Sequence, residues 1–157
     1  MTIRRANEKD IPKLIELLQQ VLELHARIRP DVFISGTTKY TDEDLIKMVH
    51  DEDNPIYVAV NEADICQGYA FCKLQEQPFS NNMVPFKSMF IDDLCVDKEA
   101  RGQHIGKSLF EYVKTQAKKL GCYEVTLNVW TGNTAAEGFY EKMGMKTKER
   151  NMEFILQ

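Results

Sequence analysis

Residues 101–108 read Arg-Gly-Gln-His-Ile-Gly-Lys-Ser, and this stretch has the makings of a phosphate site. A glycine-rich turn that leads from a strand into a helix points free backbone N–H groups, and the positive end of a helix dipole, at one spot. The spacing is not that of a nucleoside-triphosphate loop. Three residues separate Gly102 from Gly106 ahead of Lys107 and Ser108, where G-x-x-x-x-G-K-[ST] has four. No later strand reads as four apolar residues closing on a magnesium-binding acid, and strand–helix–strand crossovers are too few for that fold. An ATP-binding protein is therefore the last of the alternatives.

A second group of interest is Asp92 and Asp93, consecutive acids inside a strand. Strand alternation puts one carboxylate on each face, so one of them leaves the solvent-facing pattern. Either they bond loop backbone or line an exposed strand end, or they serve catalysis or amine binding. The cysteines at 66, 72, 95 and 122 show no C-x-x-C spacing and read as buried, reduced thiols rather than zinc ligands. No metal is expected. Cys95 as a covalent nucleophile is a rival chemistry, but no histidine pairs with it in sequence.

These groups need a scaffold, and hydrophobic periodicity supplies one. A strand is expected over 2–6, then a helix from about 11 to 27 with Asp10 as its cap and Pro12 in its first turn. Ile11, Leu14, Ile15, Leu18, Val21 and Leu22 form its apolar stripe, and Pro30 stops it. Thr41 and Asp44 have nearly capping-box spacing for a second helix to about 50. Segments 55–60 and 66–75 flank the turn Asn-Glu-Ala-Asp as a hairpin; 78–86 is loop, and 87–96 is a strand of mixed polarity. After the phosphate loop, Leu109, Phe110, Val113, Ala117 and Leu120 keep helical spacing up to Gly121. A strand over 123–130 follows. Thr134 and Glu137 then form a box opening a short helix that Gly144 ends, and 146–156 closes as a strand.

The 157 residues fit one domain, 1–157, of mixed α/β (α+β) class, long enough to bury an ordinary core. A net charge of −4 argues against a nucleic-acid surface and mildly favours cationic partners. The longest apolar helix is interrupted by Lys13, Glu16 and Glu23, so no membrane span is expected, and the absence of a signal core points to a soluble cytoplasmic protein.

The stretch LCVDKEARGQHIGKSLFEYV, followed by LNVWTGNTAAEGFYEKMGM, resembles the GCN5-related N-acetyltransferase (GNAT) family, whose pyrophosphate signature is [QR]-x-x-G-x-[GA]. Arg101, Gly102, Gln103, His104, Ile105 and Gly106 stand at that signature, and the opening TIRRANEKDIPKL is similar to the family's first strand and helix. The resemblance implies a central mixed, mostly antiparallel sheet with splayed strands, flanked by about four helices. It implies acetyl-CoA as cosubstrate and direct attack by a primary amine of a small molecule or peptide.

Further roles follow from the resemblance. Backbone groups near Leu94, Cys95 and Val96 would pair with the pantetheine arm, and one N–H there would stabilise an oxyanion. Arg101 and Lys107 are cationic candidates for the phosphates, against plain surface charge, with Ser108 beside them. His104 stands where the signature has its central glycine, so its backbone must take a conformation open to a side-chain-bearing residue. Its side chain either points to solvent or meets a phosphate. Tyr140, as general acid, would protonate the leaving thiolate, against simple packing beside Phe139. Asn133 is either a helix cap or a pantetheine contact; Ala136 and Lys142 complete the cofactor set. Where some relatives place a glutamate base, this chain has Asn128, which cannot accept a proton, so Asp92, Asp93 or a water relay becomes the candidate base. By the resemblance His25, Arg29 and Phe33 fall in the segment that forms the family's acceptor wall, where Arg29 would meet an acidic group of the acceptor; a polar helix end is the plainer account. Asn128 and His104 also leave open a catalytically weak CoA-binding sensor module. The closing strand could pair across a homodimer.

Overall fold

The computed structural model describes residues 1–157. Five strands form one sheet in the order β1 (Thr2–Arg5), β2 (Ile56–Val60), β3 (Cys66–Glu76), β4 (Lys87–Val96) and β5 (Glu124–Leu127). Every neighbouring pair is antiparallel except β4 and β5, which are parallel. Parallel neighbours need a crossover, and α3 (Ile105–Lys119) provides it. The remaining helices are α1 (Ile11–Ile28), α2 (Asp42–Met48) and α4 (Thr134–Lys142).

The two faces of the sheet hold separate apolar clusters. On one, Leu14, Leu17 and Leu18 of α1 and Leu45 of α2 pack on Val58, Tyr69, Phe71 and Cys95. On the other, Ile105, Leu109, Phe110, Val113 and Ala117 of α3 cover Ala70, Cys72, Met89 and Ile91. Each leucine, isoleucine, valine or phenylalanine among them contributes roughly 1.5–3 kcal/mol on leaving water, so α3, with the loop at its head, is fixed to the sheet by its whole apolar stripe. No helix is long and apolar enough to cross a membrane.

Two caps differ from the sequence expectation. Asp10 makes no bond to the start of α1. Its carboxylate turns back instead, accepting from the Asn7 N–H and, in a two-pronged ion pair at 2.8 and 3.0 Å, from Arg4. A guanidinium fork offers two charge-assisted bonds where the helix offers one neutral N–H. At α4 the cap is Asn133, accepting from the Ala136 N–H at 3.3 Å; Thr134 is already helical, so the Thr134–Glu137 box does not form. The Thr41–Asp44 box does form, with both bonds present.

The acids at 92 and 93 are the main correction. They lie on one face, not two, because β4 carries a bulge: Phe71 faces Asp93 and Cys72 faces Ile91, which leaves Asp92 as the extra residue. One inserted residue resets the alternation, so both carboxylates point to the α1–α2 side, where Asp92 meets Tyr40 and Asp93 meets Tyr69.

The closing strand is also absent. Residues 146–157 form no strand and make no backbone hydrogen bond. A strand exists only by pairing, and this segment is tied to the body through long charged side chains, Lys148 to Glu124 at 2.9 Å and Arg29 to Glu153 at 2.8 Å.

Candidate active site

The bulge opens the sheet. β4 and β5 pair from Ser88 and Glu124 to Ile91 and Leu127 and no farther, so past the bulge the two strands part and leave a gap. Asp97 donates its N–H to the Gln67 carbonyl, and antiparallel pairs exchange bonds at every second residue. Cys95 and Asp97 therefore face β3 with their backbone groups, while those of Leu94 and Val96 face the gap. Close pairing here depends on Gly68, where a Cβ would lie 2.8 Å from the Cys95 carbonyl oxygen.

Beyond β4 the chain enters the phosphate loop, whose base is held by α1: Lys13 forms an ion pair with the buried Asp97, and Gln20 donates to the same carboxylate. The loop then turns through two left-handed residues, Gly102 with φ 82° and His104 with φ 60° and ψ 22°. Histidine is among the residues that tolerate this region, so the place of the missing glycine keeps a glycine-like backbone. His104 is exposed and makes no side-chain bond to the helix. The N–H groups of residues 102–107 have no acceptor within the protein, which leaves six successive donors around the start of α3. The Ser108 N–H is taken by the His104 carbonyl. Arg101 and Lys107 are exposed and free of ion pairs. Gly106 lets the helix start lie against Phe139, whose ring carbons stand 3.4 Å from where its Cβ would be.

Three ionisable groups differ in what they can do. Burial raises the Asp93 carboxyl to about 6, against the pull of the Tyr69 hydroxyl, which donates to it at 2.7 Å. For Asp92, burial is outweighed by hydrogen bonds from Tyr40 and Lys39, which hold it below the usual carboxylate range. Asp92 is thus a committed anion, and Asp93 one poised near neutrality. Tyr140 is half-buried between Phe110 and Phe139, with ring centroids at 6.2 and 5.1 Å. Burial, then the charge of Asp93, pushes its phenol up and keeps it protonated. The Cys95 thiol is buried and held up at about 12 by that burial, so it is no nucleophile at neutral pH.

Past the end of β5, His25, Phe33 and Trp130 form an aromatic chain with centroid spacings of 5.1 and 5.4 Å. The Arg29 guanidinium lies over Trp130 at 5.5 Å. Arg29 is not free for an acidic ligand: Asp31 accepts two bonds from it at 2.9 and 2.8 Å, and Glu153 takes the rest of the fork. Burial lowers the His25 imidazole, with Lys39 adding to the effect. Asn128 is exposed near the end of β5. Ala136 is half-buried and Lys142 exposed on α4. Trp130, Tyr69, Tyr40 and Lys39 were not singled out by sequence. The chain's one tryptophan, beside a Thr-Gly-Asn turn, carried a signal; the other three come to the site only through tertiary contacts.

Residues 18–145 match the model of the Acetyltransferase (GNAT) family. The chain is 30% identical over 151 residues to the peptidyl-lysine N-acetyltransferase YjaB of Salmonella typhimurium, covering 96% of this chain and 87% of that protein. A crystal structure of a mutant of the BH1408 protein from Bacillus halodurans superposes with a TM-score of 0.94 at 30% identity, covering all of both chains. That of glucosamine-6-phosphate N-acetyltransferase from Arabidopsis thaliana does so with a TM-score of 0.70 at 26% identity, covering 99% of this chain and 98% of the other.

Proposed function

Because this chain belongs to the GNAT acetyltransferase family, we propose that it transfers the acetyl group of acetyl-CoA to a primary amine, on a small molecule or a peptide, by direct attack in a ternary complex. The observation that carries this reading is one gap in one sheet with phosphate donors at its mouth, Asp93 as a carboxylate poised near neutrality, and Tyr140 as a phenol kept protonated. The six free N–H groups of residues 102–107 suit a diphosphate, with Arg101 and Lys107 beside them, and the gap-facing amides of Leu94 and Val96 suit a ligand with amides of its own. Acetyl-CoA bound there would supply an activated acetyl thioester.

The chain's own residues handle the protons. A lysine-like amine with pKa near 10.4 is neutral in only about one molecule in two thousand at pH 7, a penalty of roughly 4–5 kcal/mol. Asp93 is ionised at that pH yet basic enough to accept the amine's proton, directly or through a water; Asp92 is too strongly held by Tyr40 and Lys39 to do so. The Tyr140 Oη holds the proton that a departing sulfur needs. His25, Phe33 and Trp130 form the acceptor wall, and Arg29 braces it.

The test is thiol release from acetyl-CoA with a panel of lysine peptides, amino sugars, polyamines and aminoglycosides. Lysine peptides lead because YjaB of Salmonella is a peptidyl-lysine N-acetyltransferase. Release with one class of amine, with acetyl found on its nitrogen, supports the proposal. Tight CoA binding with no release from any amine would instead make the chain a CoA sensor.

A further inference from the structure

We propose that Lys39 is an internal occupant of the acceptor's seat: its ammonium rests on Asp92 where the acceptor's ammonium binds, and the lysyl side chain of a peptide enters by displacing it. The inference deepens the function proposed above and rests on it. Seat and occupant are held unequally. The β4 bulge turns Asp92 to the α1–α2 face, where its side chain is 11% exposed and its Oδ2 accepts from the Tyr40 hydroxyl at 2.7 Å and from the Lys39 ammonium at 3.0 Å. Tyr40 is fixed, since its ring stacks on the buried Phe71 at 5.6 Å. Lys39 is loose: its side chain is 46% exposed, and Asp92 is its one ion-pair partner. A pair with an exposed member contributes little, so Lys39 can leave while Tyr40 keeps Asp92 in place.

Position and shape identify what the seat takes. The phosphate donors head α3, which covers one face of the sheet, and Lys39 stands with Tyr40 on the opposite face. There its charge reaches both Asp93, the carboxylate poised to take the acceptor's proton, and His25, the first ring of the acceptor wall. An ammonium on Asp92 is therefore already at the place from which a proton must be lost. Its stem crosses the Tyr40 ring, with the ammonium 5.6 Å from the ring centroid, so the chain itself demonstrates that a four-carbon stem ending in an ammonium fits. The seat also has room beside it. Asp92 lines an open cavity of about 320 Å³ with Tyr40, Met48, Phe71 and Lys73, in which Met48 and Phe71 suit an aliphatic stem and Asp92 the charge at its end. Lys73 is 3.9 Å from the other Asp92 oxygen, too far for a hydrogen bond, so the hydrogen-bonded ammonium position belongs to Lys39 alone.

Titration of the full chain with the peptide acetyl-Gly-Lys-Gly-amide, followed by NMR without acetyl-CoA, tests the exchange and needs no acetyl transfer. Lys39→Met keeps an apolar stem and removes the competing charge, so it should lower the peptide Kd about fivefold. The same peptide with norleucine in place of lysine has no ammonium and should gain nothing, which separates an emptied seat from a reshaped loop. Adding Asp92→Asn to Lys39→Met should abolish the gain for the lysine peptide. An equal Kd in wild type and Lys39→Met, an equal gain for the norleucine peptide, or a gain that survives Asp92→Asn overturns the exchange. A lysine peptide bound by neither chain overturns it too, and thiol release with another amine would then leave acetyl transfer standing without it.

Discussion

Tyr140 separates chemistry from scaffold more cleanly than any other side chain of the site. Its ring packs against Phe110 and Phe139, while its hydroxyl has no hydrogen-bond partner in the protein. Removing that oxygen therefore leaves no buried group unsatisfied, and folding should barely register the change. Tyr140→Phe is expected to lower kcat by about a hundredfold, the lower end of what a general acid contributes. The melting temperature should stay within about 2 °C and acetyl-CoA affinity within about twofold. Turnover equal to the wild type, measured by thiol release, would reduce Tyr140 to packing.

At the scale of elements, the phosphate loop was legible because its chemistry is local: glycine spacing, a preceding strand and a following amphipathic helix all lie within some thirty residues. The bulge was not legible. Asp92 and Asp93 look like ordinary alternation until β3 sets the register, and Cys72 opposite Ile91 is information held by another strand. The C-terminal segment was misleading for a related reason, since Met152, Phe154 and Leu156 have the strand period but the segment pairs with no strand, and period alone does not make one. The loop itself yields an element-scale prediction. Its donors converge because residue 104 sits at φ 60°, a conformation glycine adopts freely and β-branched residues resist. His104→Gly should keep acetyl-CoA affinity within about threefold, whereas His104→Val should weaken it about tenfold or more by reshaping the turn; calorimetric titration measures both. A loss of affinity of tenfold or more in His104→Gly would assign the phosphate contact to the imidazole instead.

Across the whole molecule, the two acids pull stability in opposite directions, and this distinguishes a base from a structural carboxylate. In the unfolded chain an aspartate titrates near 3.9, and in the fold burial raises Asp93 to about 6. The folded state binds that proton more tightly, so the contribution to stability is fully present below about pH 4 and is lost as pH rises through 6. Holding Asp93 ionised at pH 8 costs on the order of 1–3 kcal/mol. Asp93→Asn removes the charge and can still accept from Tyr69. It should raise the melting temperature by roughly 3–8 °C at pH 8, with the gain fading toward pH 4, while turnover falls about a hundredfold. Asp92 has the reverse sign, because bonds from Tyr40 and Lys39 outweigh its burial and hold it down. Its stabilisation is present above about pH 4 and disappears as pH falls below that, so Asp92→Asn should lower the melting temperature at pH 8 and have little effect at pH 3. Thermal melts of the two variants across this range, read beside their turnover, check both signs. A more stable, inactive Asp93→Asn is the outcome expected of a catalytic base, and an Asp93→Asn that is less stable at pH 8 would make Asp93 a structural partner of Tyr69.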